Sequence, residues 1–459
     1  MRERFVRHTR IGASAERVFR WHQRPGALER LTPPWVTMRV VERTGGIEDG
    51  VRVSLVLSFG PLQIPWTLEH RDFVKNQQFR DVQISGPFTS WSHVHRVEPD
   101  GDAGCYIEDE VEYELPGGRF GDLLGGSLMR LELERLFVYR HRILQHDMAV
   151  ETAHPVDKPL KILVSGSSGL IGSALVPFLT TAGHRVVRLV RPSSRAGGDA
   201  IPWDPAAGLL NPDDVEGFDA VIHLSGESLD ALRWTAGKKQ RILDSRVKST
   251  RLLCETLAKL KRPPRVLLSA SAIGFYGNRG GEILSEESRG GPGWLPEVCR
   301  QWEQSTESAA QAGIRVVNMR IGVVLSPRGG LLARLLPVAR LGLGGPIGTG
   351  WQFMSLITID DLVSAIYHTL RTDSLRGPVN MVGPRAIPQR ELAKTLGLVL
   401  QRPVFLRLPA FAVQALMGEV ANALVLSSAH VEPRLLTESG FVFQFPDMEI
   451  GLRHLLGRT

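Results

Sequence analysis

A glycine-rich turn between an apolar run and an amphipathic segment is the part of this chain best suited to chemistry. Residues 161–172 read Lys-Ile-Leu-Val-Ser-Gly-Ser-Ser-Gly-Leu-Ile-Gly, a short strand that enters the turn and is followed by a helix through Leu179. Such a turn lets the backbone approach a pyrophosphate and directs the N–H groups of a helix N-terminus at the anion. The pattern predicts a dinucleotide site contacted by Gly166, Ser168, Gly169, Leu170, Ile171 and Gly172.

The residues after the second predicted strand, 185–190, indicate which dinucleotide is bound. A site for NAD usually has an acid there to accept from the ribose 2′-hydroxyl, whereas a site for NADP offers arginine to the 2′-phosphate. This chain reads Arg-Pro-Ser-Ser-Arg at 191–195, with no acid before Asp199. We expect NADP, bound by Arg191 and Ser193. The alternative is a solvated basic loop.

Small and hydroxylated residues follow two further buried runs. One run ends in Leu224, Ser225 and Gly226, and the next carries Ser271 and Tyr276. Ligands of doubly wound folds bind at the carboxyl ends of the strands. The first three residues are therefore predicted to lie beside the cofactor riboses, and the two hydroxyl groups are predicted at the same edge.

Length and composition set broad limits on the class of protein. A chain of 459 residues is too long for one ordinary domain, and 43% hydrophobic with 22% charged residues is typical of a globular protein. The net charge of +7 is not concentrated in a basic block, so no nucleic-acid binding is predicted. Cys105, Cys254 and Cys299 match no metal-ligand spacing, and no apolar run reaches membrane-spanning length. We expect a cytoplasmic protein without membrane insertion.

The first 150 residues predict an α+β domain. A strand at 5–11 and a short helix from Ser14 precede several strand-like runs, and a long helical pattern at 123–148 closes the region. This order describes a sheet wrapped around a helix. The strand-like runs are 51–59, 66–74, 78–84, 90–97 and 105–115.

The rest of the chain predicts an α/β fold. Residues 151–160 hold two prolines and no periodicity and are predicted to be a linker. From Lys161 to the C-terminus at 459, strands and helices alternate, as in a doubly wound Rossmann parallel sheet with helices on both faces. A small C-terminal substrate lobe is expected to include a helical segment at 402–459.

Residues 19–35, which read Phe-Arg-Trp-His-Gln-Arg-Pro-Gly-Ala-Leu-Glu-Arg-Leu-Thr-Pro-Pro-Trp, resemble a domain found in some bacterial relatives of an atypical short-chain dehydrogenase family. That domain is similar to the SRPBCC, or START-like, helix-grip superfamily. The resemblance covers about residues 1–150 and implies an apolar ligand cavity between sheet and helix.

The region from Lys161 almost to the C-terminus resembles the extended short-chain dehydrogenase/reductase superfamily, and within it an atypical, epimerase-like family. The resemblance implies an NADP-dependent oxidoreductase or epimerase-like protein, in which a homodimer is one open alternative. The segments that carry it are 244–251, 269–272, 297–300, 341–346, 359–362 and 407–411.

The resemblance also exposes a departure from the superfamily. Its members use a tyrosine for proton transfer and a lysine four residues later, and these positions correspond here to Leu295 and Cys299. The companion asparagine corresponds to Arg246, and only the serine is kept, as Ser271. Leucine cannot transfer a proton and a neutral thiol carries no charge, so the usual catalytic pair is absent.

Three residues are candidates to replace that pair: Ser271, Tyr276 and Cys299. Glu303, one helical turn after Cys299 on the same face, is expected to be a helix-surface or ion-pairing residue. The thiol can act as an acid or nucleophile if Arg246 or Arg300 lowers its pKa. The alternatives are a buried thiol that packs against the sheet and a tyrosine that forms part of the pocket wall. The loop at 342–350, rich in glycine, is a candidate ligand clamp.

Two histidines in the first domain raise the question of a metal. His93 and His95 flank one residue of a predicted strand and therefore share a face, with His70 or His22 as possible companions. No carboxylate or cysteine completes a recognisable ligand spacing. We therefore expect no metal site.

Two hypotheses about function remain. The first is an NADP-binding oxidoreductase or epimerase-like protein of unknown substrate. The second is a non-catalytic NADP-binding sensor, or a protein whose first domain binds a small apolar ligand.

Overall fold

The computed structural model describes residues 2–192, 199–229 and 231–458. The chain divides into two compact units. The first comprises the described residues up to Asp157, the segment Thr180–Gly183 and those from His454 onward. The second comprises Lys158–Leu179 and His184–Arg453. Among the described residues, no helix has both the length and the apolar character needed to span a membrane.

The first unit is an antiparallel sheet that packs against one long helix. Its strands are β1 (Glu3–Ile11), β2 (Thr37–Arg43), β3 (Arg52–Phe59), β4 (Leu62–Val74), β5 (Gln78–Ser85), β6 (Ser90–Pro99) and β7 (Cys105–Glu114). Its helices are α1 (Ala15–Gln23), α2 (Ala27–Arg30) and α3 (Gly118–Ala153). The sheet order is β1-β7-β6-β5-β4-β3-β2. This arrangement confirms the predicted α+β helix-grip fold.

Alternating burial along the strands places one face of this sheet against α3. In β7, for example, Cys105, Ile107 and Asp109 are buried while the residues between them are only half-buried. This period of two is what a sheet with one covered face requires. Two groups of buried apolar side chains fill the interior, one around Phe19 and one around Phe137. Between sheet and helix lie histidine and aspartate side chains as well, so the interior is partly polar where the resemblance implied an apolar cavity.

The helix α3 is longer than the sequence pattern predicted. It begins at Gly118 and ends at Ala153, so it extends into the segment predicted as a linker. Glycines at its start, such as Gly121 and Gly125, disfavour helix locally. Packing of the following turns against the sheet outweighs that preference.

The second unit is built on a parallel sheet. From Lys158 onward the strands are β8 (Lys161–Ser165), β9 (Arg185–Val190), β10 (Ala200–Pro202), β11 (Ala220–His223), β12 (Val266–Ala272), β13 (Ile283–Leu284), β14 (Arg315–Ile321), β15 (Val323–Leu325), β16 (Phe353–Met354), β17 (Leu356–Thr358), β18 (Gly377–Met381), β19 (Ile387–Pro388) and β20 (His430–Val431). The order of the strands in the parallel sheet is β10-β9-β8-β11-β12-β14-β18. Short strands pair outside it, β13 with β20, β15 with β17 and β16 with β19.

Helices cover this parallel sheet, as expected for a doubly wound fold. They are α4 (Gly172–Thr181), α5 (Ala236–Leu257), α6 (Trp294–Gln304), α7 (Glu307–Gln311), α8 (Gly330–Arg340), α9 (Ile359–Arg371), α10 (Gln389–Leu400), α11 (Ala410–Met417), α12 (Arg434–Glu438) and α13 (Met448–Leu456). The strand order reverses between β8 and β11, which is the point where such folds bind ligands. The Rossmann fold is confirmed.

Candidate functional site

The glycine turn lies between β8 and α4, at the point where the strand order reverses. Gly166 has a φ of +70°, and a Cβ there would lie 2.7 Å from the backbone of Leu224. A Cβ on Gly172 would lie 2.3 Å from the carbonyl oxygen of Gly166. Any side chain at either position would collide with backbone that cannot move away, so the turn requires glycine.

The turn leaves its backbone open to a ligand. Ser168 and Gly169 are exposed, and Leu170 and Ile171 are half-buried. The Gly169 N–H donates to the Gly166 carbonyl at 3.0 Å, which tightens the turn just before α4 begins. Exposed backbone at the start of a helix, free of side chains at the closest approach, fits the pyrophosphate of a dinucleotide.

The predicted ribose contacts lie on the neighbouring strand. The sheet pairs Ser165 with His223, so Leu224, Ser225 and Gly226 emerge beside the turn. The Leu224 N–H donates to Ser165 Oγ at 3.2 Å. This bond fixes the distance between the two strand ends, because Ser165 Oγ also lies 2.6 Å from His223 Nδ1 in the core.

Arg191 follows directly on β9 and is exposed. Asp199, the next acid along the chain, receives hydrogen bonds from Arg185, which stands at the other end of β9, with Nε to Oδ2 at 3.1 Å. This acid is therefore engaged away from the position at which an NAD site holds its carboxylate. Ser193, the other predicted contact to the phosphate, lies outside the described residues.

Leu295 and Cys299 lie on α6, one turn apart. The Leu295 side chain and the Cys299 sulfur both pack toward Gly274, within 3.0 and 3.6 Å of where a Cβ on that glycine would be. Burial raises the pKa of the Cys299 thiol to about 12, and the charges of Arg246 and Arg320 offset this only in part. The condition for a reactive thiol, a lowered pKa, is therefore not met.

Ser271 is buried at 3% exposure near the end of β12, and its hydroxyl donates to Glu303 Oε1 at 2.7 Å. The same carboxylate receives two hydrogen bonds from Arg320, one from Nε and one from Nη2, each at 2.9 Å. Glu303 is thus the buried acceptor that holds a serine and an arginine together.

Tyr276 continues this network into the core. Its hydroxyl lies 2.7 Å from Asn380 Oδ1 and 3.0 Å from the Ser285 carbonyl oxygen, and Arg320 Nη1 donates to it at 3.0 Å. The side chain is completely buried, and burial raises its pKa. Its hydroxyl therefore faces the core, away from the pocket wall.

A cleft of about 380 Å³ opens at the carboxyl ends of β12 and β14. Gly274 and Leu295 line it, as do Trp234 and Trp294, whose tilted rings contact each other with centroids 4.9 Å apart. The few polar side chains in its wall include those of Asn278, Ser355, Glu419, Asn422 and Ser427.

The partners of two residues in this region, Glu303 and Arg246, were not predicted from the sequence. The pairing of Glu303 with Arg320 joins a helix to a strand 17 residues later, and no local spacing signals it. Arg246 packs over the Trp302 ring at 4.9 Å and donates to the Glu227 carbonyl at 2.9 Å, beside Gly226. For Arg246, one indication of a special role was present in the sequence, because arginine stands there where the superfamily has asparagine.

The glycine-rich loop at 342–350 does not line this cleft. Leu343, Gly344 and Ile347 instead line a separate apolar pocket of about 170 Å³, together with side chains of α8 and α10. The loop therefore lines a pocket of its own, and its role as a ligand clamp stays a prediction. A Cβ on Gly345 would lie 1.8 Å from the Leu406 carbonyl oxygen, so these glycines serve close backbone packing.

Comparison with known sequences and structures assigns each part of the chain. The NAD dependent epimerase/dehydratase family matches residues 162–382, and a domain of unknown function matches residues 408–455. A family described as polyketide cyclase/dehydrase and lipid transport matches residues 11–136.

Relatives cover most or all of the second unit. An epimerase family protein of Mycobacterium bovis is 39% identical over 282 residues, which are 61% of this chain and 93% of the relative. The human epimerase family protein SDR39U1 is 31% identical over 300 residues, 65% of this chain and 100% of the relative.

Two solved structures resemble the fold. A nucleoside-diphosphate sugar epimerase of Corynebacterium glutamicum has a TM-score of 0.81 and 32% identity, and the match covers 99% of this chain and 90% of that one. Human SDR39U1, solved with NADPH, has a TM-score of 0.59 and 32% identity over 64% of this chain and 99% of that one. The chain therefore belongs to the epimerase family of extended short-chain dehydrogenases/reductases, with an SRPBCC-type domain at its N-terminus.

Proposed function

We propose that this protein binds NADPH and acts as an oxidoreductase or epimerase-like enzyme on a small, largely apolar substrate. The main observation behind this proposal is that the glycine turn and the cleft both lie at the carboxyl ends of strands in one parallel sheet. NADPH supplies a hydride when it is bound. Gly166, Gly172 and the N-terminus of α4 would hold its pyrophosphate.

The choice of NADPH over NADH rests on the end of β9. Arg191 is exposed there, and the nearest following acid is paired with Arg185. A guanidinium binds a phosphate monoester through paired charged hydrogen bonds, which the ribose hydroxyl of NADH cannot match. The human relative was solved with NADPH, which is consistent with this choice.

The proposed substrate class follows from the cleft wall. Of its lining residues in the described ranges, none is lysine or arginine, and the Glu419 carboxylate is paired with Lys239 at 2.5 Å. Such a wall offers the diphosphate of a nucleotide sugar no unpaired cation, which is costly. The lining therefore favours an uncharged carbonyl or hydroxyl compound over the sugar nucleotides named for some relatives.

Within the cleft region, Ser271 is the residue we propose nearest the reacting oxygen. Its hydroxyl donates to Glu303, so its oxygen is held in one orientation by a group that is itself fixed by Arg320. Tyr276 and Cys299 have core positions, and we assign them no proton transfer. Three buried free cysteines suit the reducing cytoplasm, which remains the proposed compartment.

A second function is favoured by the same network. With leucine and a neutral thiol at the positions of the usual pair, and with the Ser271 and Tyr276 hydroxyls bonded inside the core, a non-catalytic NADPH-binding protein is the alternative. Transfer of deuterium from stereospecifically labelled NADPH to any carbonyl acceptor distinguishes the two. Ser271→Ala should abolish that transfer in an enzyme and leave NADPH affinity unchanged.

Cofactor choice is tested by titrating the full chain with NADPH and with NADH while tryptophan fluorescence is followed. We expect tighter binding of NADPH, and at least about a tenfold loss in Arg191→Ala with no change for NADH. Arg251→Ala, an exposed arginine on α5, is the matched control. Equal affinities for both dinucleotides in the parent protein would refute the proposed role of Arg191.

A further inference from the structure

The interior of the first unit holds a set of ionisable side chains that the proposed function does not use. They come from neighbouring strands and from α3, and they face the space between sheet and helix. The set consists of His70 on β4, Asp81 on β5, His93 and His95 on β6, Asp109 on β7 and His141 on α3.

Sheet register is what brings the set together. His70 stands opposite Asp81, and Asp81 stands opposite His93 on the next strand. His95 stands opposite Asp109 one strand further. Residues directly opposite one another share a face of the sheet, and His93 and His95 share it because they are two positions apart.

Three of these side chains have the spacing of metal ligands. Asp81 Oδ2 lies 3.4 Å from His95 Nε2 and 3.9 Å from His93 Nδ1. One ligand atom from each of the three residues lies within 4.8 Å of the others. An ion with bonds of about 2.0–2.2 Å separates its ligand atoms by roughly 3–4 Å, which the two distances from Asp81 Oδ2 match.

A second carboxylate contacts the far side of both imidazoles, with hydrogen-bond geometry toward His93 but not toward His95. Asp109 Oδ1 lies 2.8 Å from His93 Nε2 and 2.6 Å from His95 Nδ1. Its other oxygen lies 2.5 Å from His141 Nε2. Histidines that bind metal commonly pass their remaining ring N–H to a carboxylate, which fixes the tautomer and turns the free lone pair toward the ion.

A further buried imidazole, that of His70, lies beside these three residues. His70 is only 7% exposed, yet neither of its ring nitrogens makes a hydrogen bond. Its Nδ1 is in direct contact with Asp81 Oδ1 at 2.6 Å, which leaves no space for a group between these two atoms. Buried polar groups usually find partners, so the unpartnered imidazole of His70 is a candidate for a further ligand.

We propose that Asp81, His93 and His95 bind one divalent first-row transition-metal ion, with Asp109 positioning the two imidazoles. Two histidines and one carboxylate from one face leave coordination positions open for a further ligand such as His70, water or a substrate. The Asp81 side chain is 16% exposed, which gives the site a path to solvent. The proposal is independent of the NADPH site.

Cobalt(II) is the probe for this site, because its visible absorption reports the number of nitrogen and oxygen ligands. The full-length protein is treated with a chelator, desalted and titrated with Co²⁺, and bound metal is measured by equilibrium dialysis. We expect one equivalent per chain and a visible spectrum that saturates at that ratio.

Variants separate a metal ligand from a residue that is only structural. Asp81→Asn and His95→Gln keep the side-chain shape and should weaken Co²⁺ binding by more than about 100-fold. Asp109→Asn keeps the three ligands and should weaken it by about 10–100-fold. His8→Gln, on β1 of the same sheet, is the matched control and should bind as the parent protein does.

Thermal unfolding provides a second measurement. Added metal stabilises a protein that binds it in the folded state, and it does not stabilise one whose side chains only hydrogen-bond to each other. Co²⁺ should raise the melting temperature of the parent protein and of His8→Gln, and leave that of folded Asp81→Asn unchanged. If a substitution prevents folding, Co²⁺ titration of the parent protein still tests whether the metal site exists. The proposal is wrong if the parent protein binds less than about one tenth of an equivalent of Co²⁺, or if Asp81→Asn and His8→Gln bind Co²⁺ equally well. Either result would indicate a histidine–aspartate hydrogen-bond network without a metal.

Discussion

Two groups of buried ionisable side chains, one in each unit, differ in how completely they are paired. Beneath the cleft, Glu303 receives hydrogen bonds from Ser271 and Arg320, so charge is balanced by direct contact. In the helix-grip unit, Asp81 and His70 lie close together without completing a hydrogen bond. A network whose buried side chains have all formed hydrogen bonds stabilises the fold, whereas neighbouring buried side chains that lack hydrogen bonds indicate a ligand-binding site.

The surroundings of the two groups also differ in polarity. The cleft of the epimerase-type unit is lined mainly by apolar side chains, and the charge of Glu419 in its wall is paired with Lys239. The helix-grip unit has apolar groups on either side and charges at its centre. Ligand chemistry is therefore expected to be apolar in the first case and ionic in the second.

The largest expected effect comes from breaking the satisfied network. Arg320→Met leaves the Glu303 carboxylate buried without its cation, since the two side chains are 5% and 13% exposed. We expect the free energy of unfolding to fall by about 3–5 kcal/mol, the usual result of removing one partner of a buried pair. Urea denaturation followed by tryptophan fluorescence measures it.

An exposed pair with similar geometry serves as the control for this change. Arg434 lies 2.8 Å from Glu438, with side chains 49% and 55% exposed. Arg434→Met should change stability very little, because water screens such pairs. Equal effects of the two arginine variants would show that the buried network does not act as described.

A smaller effect is expected from the glycine turn. Gly166→Ala forces a side chain into a positive φ, at about 1 kcal/mol, and against the Leu224 backbone, at about 1–3 kcal/mol more. Dinucleotide binding should be lost in parallel. Gly208→Ala is the control, because its φ of +68° carries the first cost while no atom lies within 4 Å of the added Cβ. A variant at Gly166 that binds NADPH normally would contradict the proposed cradle.

The smallest stability effect is expected at Cys299. Cys299→Ala removes one buried sulfur atom, which we expect to cost about 1 kcal/mol. In the native protein the raised pKa should keep this thiol unreactive toward iodoacetamide at pH 8, and labelling in urea should be at least 100-fold faster. Mass spectrometry identifies the labelled position, and rapid native labelling at Cys299 would restore the nucleophile hypothesis.

The sign of the accompanying pH dependence follows from the same thiol. Its pKa in the folded state, about 12, lies above the ordinary value of 9.0, so the native protein retains the proton where the unfolded chain releases it. The contribution to stability is therefore complete below pH 9 and is lost as the pH rises toward 12. Cys299→Ala should flatten this part of the stability curve.

Local patterns predicted much of the fold. The alternation at 105–115 matches β7, and the apolar run before the glycine turn matches β8. Strand β2 was not predicted, because Thr37–Arg43 is largely exposed and lacks a clear alternation of apolar residues. Helix α5 begins at Ala236, well before the amphipathic segment that starts at Lys248, because Thr235 caps its first turn through its side chain.

The candidate site residues differ in how far their positions could be predicted from the sequence. The glycine turn and the ends of the strands after it depend on a few adjacent residues, so the sequence shows where they must lie. The role of Tyr276 depends on which way its ring turns after β12, and contacts from Arg320 and Asn380 decide that. The carboxylate that makes a metal site conceivable was overlooked because Asp81 is 12 residues from His93 and meets it only across the sheet.

By itself, the sequence determined the alternation of elements, the glycine turn with Arg191 after the next strand, and the absence of a tyrosine–lysine pair on α6. The first two follow from backbone conformational preference, hydrophobic period and residue type, which act over a few residues, whereas the third is what the family resemblance implies. Tertiary structure alone decided which buried groups pair. It joined Ser271 to Glu303 and Arg320, and it placed Asp81 beside two histidines. Such contacts depend on strand register and helix packing, which bring together residues that are distant in the chain.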